Sequence, residues 1–126
     1  MEEKTILIVD DDDACRSAME KVLQSHHYKT FSCGSGNHAV KKLKEELFGI
    51  LITDFQMRGM DGLELIREAR KTHPEISTIL VSGLATEEMT VRINEQRVNG
   101  FFPKPIEWDE LMGFLDTLTL EESCGN

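Results

Sequence analysis

Residues 6–13 read ILIVDDDD: four apolar residues, Ile6 to Val9, run directly into Asp10, Asp11, Asp12 and Asp13. A second run closes the same way, Ile50 to Thr53 ending on Asp54. Short apolar runs bounded by turn-forming residues have strand length. A strand that stops on a carboxylate delivers that side chain to the sheet edge, where it faces a ligand and not the core. Two such strands lying side by side would bring at least three carboxylates to one small pocket. Like charges that close are unfavourable unless a cation or a shared proton compensates them. The pattern predicts a divalent-metal site.

Working outward, strand-length runs alternate with segments of helical period. Ala18, Met19, Val22 and Leu23 give a helix over about 14–26, and Tyr28 to Ser32 reads as a short strand. Gly34 and Gly36 then break the chain, Asn37 is placed to cap a helix, and Val40, Leu43, Leu47 and Phe48 would be its buried stripe. Ile50 to Thr53 is apolar on both faces, as a covered parallel strand should be. Leu63, Ile66 and Ala69 mark the next helix, which Pro74 ends; Ile76 to Ser82 is the fourth strand. Thr86 is placed to cap a helix reaching Arg97 whose apolar face, Met89, Val91, Ile93 and Val98, is thin. Phe101 and Phe102 start a fifth strand, and Leu111, Phe114, Leu115 and Leu118 a last helix. Strand and helix alternating five times predict an α/β fold: a five-stranded parallel sheet, doubly wound as (βα)5 in the flavodoxin-like manner, with helices on both faces. The reading is one domain over 1–126, structured from about 4 to 120, with 121–126 as a tail.

Ligands of such sheets bind beyond the carboxyl ends of the strands. Asp10, Asp11, Asp54, Ser82 and Lys104 each close or directly follow a strand, so all five map to one edge. Asp12 and Asp13 stand where the first helix begins and read as its caps. Asp61, within GMDG, reads as a turn residue. His26, His27, His38 and His73 lie away from these strand ends and read as surface residues.

Composition narrows the function class. With 14 basic and 23 acidic residues the net charge is −9, which disfavours direct binding to nucleic acid or an anionic membrane. No run has the length of a membrane span, and no signal peptide precedes the first strand. The 3 cysteines, Cys15, Cys33 and Cys124, show neither metal-ligand spacing nor an even count, so they read as reduced thiols. A cytoplasmic protein is expected.

The runs ILIVDDD, ILITDFQMRGMDGLEL, ILVSG and FFPKP, in this order and at these spacings, resemble the receiver domain of two-component response regulators. The likeness extends from about Lys4 to Leu120. It implies that Asp54 accepts a phosphoryl group from a sensor histidine kinase or phosphotransfer protein. A Mg²⁺ or Mn²⁺ ion would be held by Asp11, Asp54 and the backbone carbonyl of Gln56, with Asp10 acting directly or through water. Lys104 would pair with Asp54 before transfer and with a phosphoryl oxygen afterwards, aimed inward by a strained or cis bond to Pro105. The Ser82 hydroxyl would donate to another phosphoryl oxygen, and Phe101 would be the aromatic whose rotamer follows phosphorylation. Phe101 reads equally as an ordinary half-buried strand residue.

Further expectations follow from the same resemblance. Phosphorylation would switch the face made by the fourth helix, fifth strand and fifth helix toward a downstream protein, an output domain beyond this chain, or a phosphorylation-dependent homodimer. The chain then acts on itself and is not an enzyme for a separate substrate. An aspartyl phosphohydrolase is the alternative, but it would want an acid two residues after the nucleophile, where Gln56 stands. Arg58 departs from the family's usual proline. Gln56 and Leu84 occupy the positions that flank the path of attacking water, and an apolar Leu84 is expected to lengthen the life of an acyl phosphate.

Overall fold

The computed structural model of the chain describes residues 5–124, with side-chain surroundings through Thr119. Strands β1 (Thr5–Val9), β2 (Lys29–Cys33), β3 (Ile50–Asp54), β4 (Ser77–Ser82) and β5 (Gly100–Pro103) alternate with helices α1 (Asp13–Ser25), α2 (Gly36–Glu45), α3 (Gly62–Thr72), α4 (Glu87–Glu95) and α5 (Trp108–Cys124). The strands form one parallel sheet in the order β2-β1-β3-β4-β5. This is the doubly wound α/β arrangement expected from the alternation.

Strand period explains why the sheet carries two cores. Successive side chains point to opposite faces. Ile6, Ile8, Ile50, Ile52, Ile79 and Val81 pack on one face with Met19 and Leu23 of α1 and Leu111 and Leu115 of α5. Leu7, Val9, Leu51 and Leu80 pack on the other with Ala39 and Leu43 of α2 and Leu63, Ile66 and Ala69 of α3. Each helix contributes residues three or four apart, the spacing of a single helical stripe. α4 contributes a single fully buried side chain, Met89, and Val91 is 56% exposed. The thin face is real, although Val91 does not belong to it.

Several boundaries differ from those expected. Ser35, not Asn37, caps α2: Ser35 is extended and its Oγ accepts from the His38 amide, which leaves Asn37 inside the first turn. α2 stops at Glu45, so Leu47 falls outside the stripe and is 86% exposed, while Phe48 turns into the core alone. α4 ends at Glu95, and Arg97 follows in the left-handed region at φ 55°. α5 runs to Cys124, past the tail boundary expected at 121; Gly125 and Asn126 lie outside the described residues. His73 is buried, not superficial. It caps the end of α3, with its ring tilted against Phe48 and Nε2 3.2 Å from the Glu46 carbonyl.

The strand order reverses between β1 and β3. The chain moves outward from β1 to β2 and then crosses back to β3, opening a crevice at the carboxyl ends of these two central strands. The parallel pairing of Val9 with Thr53 sets Asp10 beside Asp54 one step further on, both on the α1/α5 side. Directly behind Asp54, the N-terminus of α3 approaches closely at Gly62. A Cβ on Gly62 would overlap the Asp54 carbonyl oxygen and lie 2.8 Å from Leu80 Cδ1. Gly62→Ala should therefore cost about 1–3 kcal/mol of overpacking, read as a lower urea midpoint. Gly83→Ala, where no atom lies within 4 Å, should leave the midpoint almost unchanged.

Candidate functional site

Asp10 and Asp54 are nearly covered, at 1% and 8% exposure, while Asp11 stands at the mouth. One oxygen from each of the three carboxylates lies within 4.8 Å of the others. Lys104, delivered by the loop after β5, reaches in from the opposite side. Its Nζ is 3.2 Å from Asp10 Oδ2 and 3.4 Å from Asp54 Oδ1. The Lys104 backbone N–H extends the ladder by donating to the Ser82 carbonyl, and the Lys104–Pro105 bond is cis.

Local turns fix the carboxylates. Asp10 Oδ1 accepts from the Asp12 amide, and Asp12 caps α1 by accepting from the amides of Ala14 and Cys15. The aspartate run is thus divided: Asp10 and Asp11 face the pocket, Asp12 caps the helix, and Asp13 lies in its first turn. Arg16 had no part in the sequence reading. Its guanidinium donates to the Asp10 carbonyl and to Asp13 Oδ1, both at 2.6 Å. The spacing from Asp13 to Arg16, three residues along a helix, was the available signal. Asp11 Oδ2 accepts from the backbone amide of Arg58 at 3.3 Å, joining the β1–α1 and β3–α3 loops. A proline at 58 would have no hydrogen to give.

Burial pushes the Asp54 carboxyl above its ordinary value; Lys104 pulls it back, and Asp10 and Asp11 raise it again. Burial depresses the Lys104 ammonium, but Asp10 and Asp54 outweigh it and leave the group above its usual value. Three carboxylates facing one ammonium leave an excess of negative charge that a divalent cation would balance. The donors are all hard oxygens, which suits Mg²⁺ or Mn²⁺ and not zinc.

The other expected residues lie around this centre. Ser82, 1% exposed, ends β4 beside it, but its hydroxyl is engaged within its own turn, donating to the Leu84 carbonyl and accepting from the Leu84 amide. Phe101 is half-buried on β5 against the core that Met89 and Ile93 share. Gln56 is exposed in the loop after β3, and Leu84 is 56% exposed. Asp61 proves to be more than a turn residue: it caps α3 in a reciprocal box with Glu64 and forms an ion pair with Arg92 of α4. Cys15 and Cys33 are free thiols.

Residues 6–116 match the family model described as the response regulator receiver domain. The chain belongs to this family. The receiver domain is 40% identical over 110 residues to the sensor kinase CckA of Brucella abortus, a match covering 85% of this chain and 12% of the kinase. It is 29% identical to the DNA-binding transcriptional regulator NtrC of Klebsiella pneumoniae, covering 86% of this chain and 23% of that protein. The chain thus spans a minor part of these relatives. The response regulator receiver protein CpdR of Brucella abortus is matched over nearly its whole length, 93% of this chain and 98% of CpdR, at 28% identity. In structure, the CheY-like receiver domain protein of Methanospirillum hungatei superposes with a TM-score of 0.93 at 26% identity, covering 99% of this chain and 100% of that one.

The raised Asp54 carboxyl makes a stability prediction with a definite sign. Its ionised form costs stability at pH values above its folded pKa, and the cost fades as pH falls through that value toward the unfolded one. Without divalent ions at neutral pH, Asp54→Asn should raise the thermal midpoint, and the advantage should shrink on acidification. Mg²⁺ at a hundredfold excess over its Kd should stabilise the native chain by about 2.7 kcal/mol, and Asp11→Asn should reduce that gain. Differential scanning calorimetry with and without Mg²⁺ reads both effects.

Proposed function

We propose that Asp54 is the phosphoacceptor of this receiver domain. The carrying observation is a nearly covered carboxylate at the end of the central strand, flanked by Asp10, Asp11 and Lys104. The donor is a phosphohistidine on a sensor kinase or phosphotransfer protein. An Asp54 carboxylate oxygen attacks phosphorus, the P–N bond breaks, and the imidazole leaves with its electron pair, taking up a proton from solvent. Asp10, Asp11, Asp54 and the Gln56 carbonyl would hold Mg²⁺ or Mn²⁺, whose charge offsets the repulsion between carboxylate and phosphoryl dianion. Lys104 gives up its contact with Asp54 and pairs with a phosphoryl oxygen. Hydrolysis of the acyl phosphate resets the site, so the chain acts upon itself.

Ser82 carries the change outward. To donate to a phosphoryl oxygen its hydroxyl releases the Leu84 carbonyl, which frees the turn leading into α4. Phe101, beside that helix, is the second moving part. The α4–β5–α5 face then takes on or releases a downstream protein, an output domain or a second copy of the chain. The chain as a whole is read as one receiver domain working in the cytoplasm. Among the described residues no helix is long and apolar enough to cross a membrane.

Incubation with Mg²⁺ and acetyl phosphate should add one phosphoryl mass, acid-stable and base-labile, that maps to Asp54. Label surviving in Asp54→Asn would refute the assignment. Lys104→Met should slow labelling by about 10²–10³-fold, the scale of losing one charged donor at a developing anion. Leu84→Glu should shorten the life of the acyl phosphate by admitting and orienting water, read as faster loss of label after the donor is removed.

A further inference from the structure

We infer that Arg92 is a positioning residue of the phosphorylation site, tying α4 to both ends of the loop that leaves Asp54. The inference rests on the reading of Asp54 as phosphoacceptor. Arg92 Nη2 lies 3.2 Å from Asp61 Oδ2 and 3.4 Å from Asp61 Oδ1. The two side chains are 32% and 25% exposed, so solvent screens the pair only in part. The same guanidinium sits over the Phe55 ring, 5.7 Å from its centroid, within cation–π range.

These two partners are the two ends of the β3–α3 loop. Phe55 follows Asp54 directly; its amide donates to the Val81 carbonyl, and its own carbonyl accepts from the Gly62 amide. Asp61 caps α3, with Oδ1 accepting from the Glu64 amide at 2.8 Å. Between them lie Gln56, whose carbonyl the proposed function assigns to the metal, and Arg58, whose amide reaches Asp11. α4 itself has few anchors: the Thr86 cap, the buried Met89, the half-buried Ile93 and, at its far end, Arg70 of α3 donating to the Gln96 and Arg97 carbonyls. The Arg92 contacts are therefore a direct tie from this weakly packed helix to the loop.

Coupling of this kind is reciprocal. A phosphoryl group on Asp54 adds negative charge one residue from Phe55, and a partner seated on α4 reorients Arg92. Each event is felt at the other site without passing through Ser82 or Phe101. The tie joins residues 31 apart in sequence, so helix-to-loop geometry alone creates it.

Two substitutions isolate the tie in the full chain. Arg92→Met keeps most of the stem and removes the charge. Asp61→Asn keeps a capping oxygen for Glu64 while removing the ion pair. Each single change should speed amide exchange over residues 87–95 and slow acetyl-phosphate labelling of Asp54 at saturating Mg²⁺, both by about two- to fivefold, the scale of a partly exposed ion pair. The double variant should be no worse than either single one, and Arg92→Lys should recover part of the labelling rate. Faster exchange in α4 with unchanged labelling would reduce Arg92 to a structural tie and overturn the inference, as would additive effects in the double variant. Absence of label at Asp54 in the unsubstituted chain would instead remove the phosphoacceptor reading, and the inference with it.

Discussion

An ammonium held between two covered carboxylates is the contact on which the rest of this structure turns. Removing Asp10 and Asp54 from water carries a penalty of several kcal/mol per ion, and Lys104 at 3.2 and 3.4 Å offsets only part of it. Apolar residues of similar volume at these positions would suit the fold as well or better. The cluster is therefore a poor stabiliser, and its cost is intelligible if the site must receive additional charge. An incoming phosphoryl group makes the imbalance worse, so a divalent ion and a lysine free to change partners are what the arrangement lacks and what it can accommodate.

Every other feature of the fold serves to bring those charges to one edge. Two apolar faces let the central strands be covered by helices on both sides, and coverage on both sides leaves only the strand ends open to a ligand. Parallel register then decides the neighbours: because Val9 faces Thr53, Asp10 comes beside Asp54. Gly62 allows α3 to start hard against the Asp54 carbonyl, which limits how far β3 can move. Arg16, bonded to the Asp10 carbonyl, holds the corresponding turn on the β1 side. The crevice is tightly packed where the carboxylates sit, whereas α4 buries only Met89.

The parts legible in the sequence were those set by where an apolar run stops. Asp10, Asp54, Ser82 and Lys104 each mark such a stop, so their gathering at one edge followed from strand period and the handed crossover alone. The family resemblance then supplied roles that spacing could not. Helix limits were harder, because period identifies a stripe without marking its end: Leu47 continued the pattern of α2 beyond the point where the backbone leaves the helix. Ser35 and Asn37 are both competent caps two residues apart, and only backbone geometry chose between them. His73 looked like a surface residue because nothing local announces that Phe48 will pack on it. The pairing of Arg92 with Asp61, which read only as a turn residue, escaped notice for the same reason. Their meeting depends on how α4 lies across the sheet, which no periodicity encodes.

That placement of α4 has an energetic logic of its own. A helix with one fully buried side chain gains little from burial, since each large apolar residue contributes only about 1.5–3 kcal/mol. Such an element belongs to the low end of local stability, where small changes in contact free energy shift its position. An ion pair in part-exposed surroundings is worth at most about 1 kcal/mol, which would be negligible for α3 with its five buried residues. For α4, with a single buried residue to hold it, a contribution of that size weighs more. The same contact that would be ornamental elsewhere therefore has leverage here, and it exerts that leverage at Phe55 and Asp61, on either side of the loop that starts at Asp54.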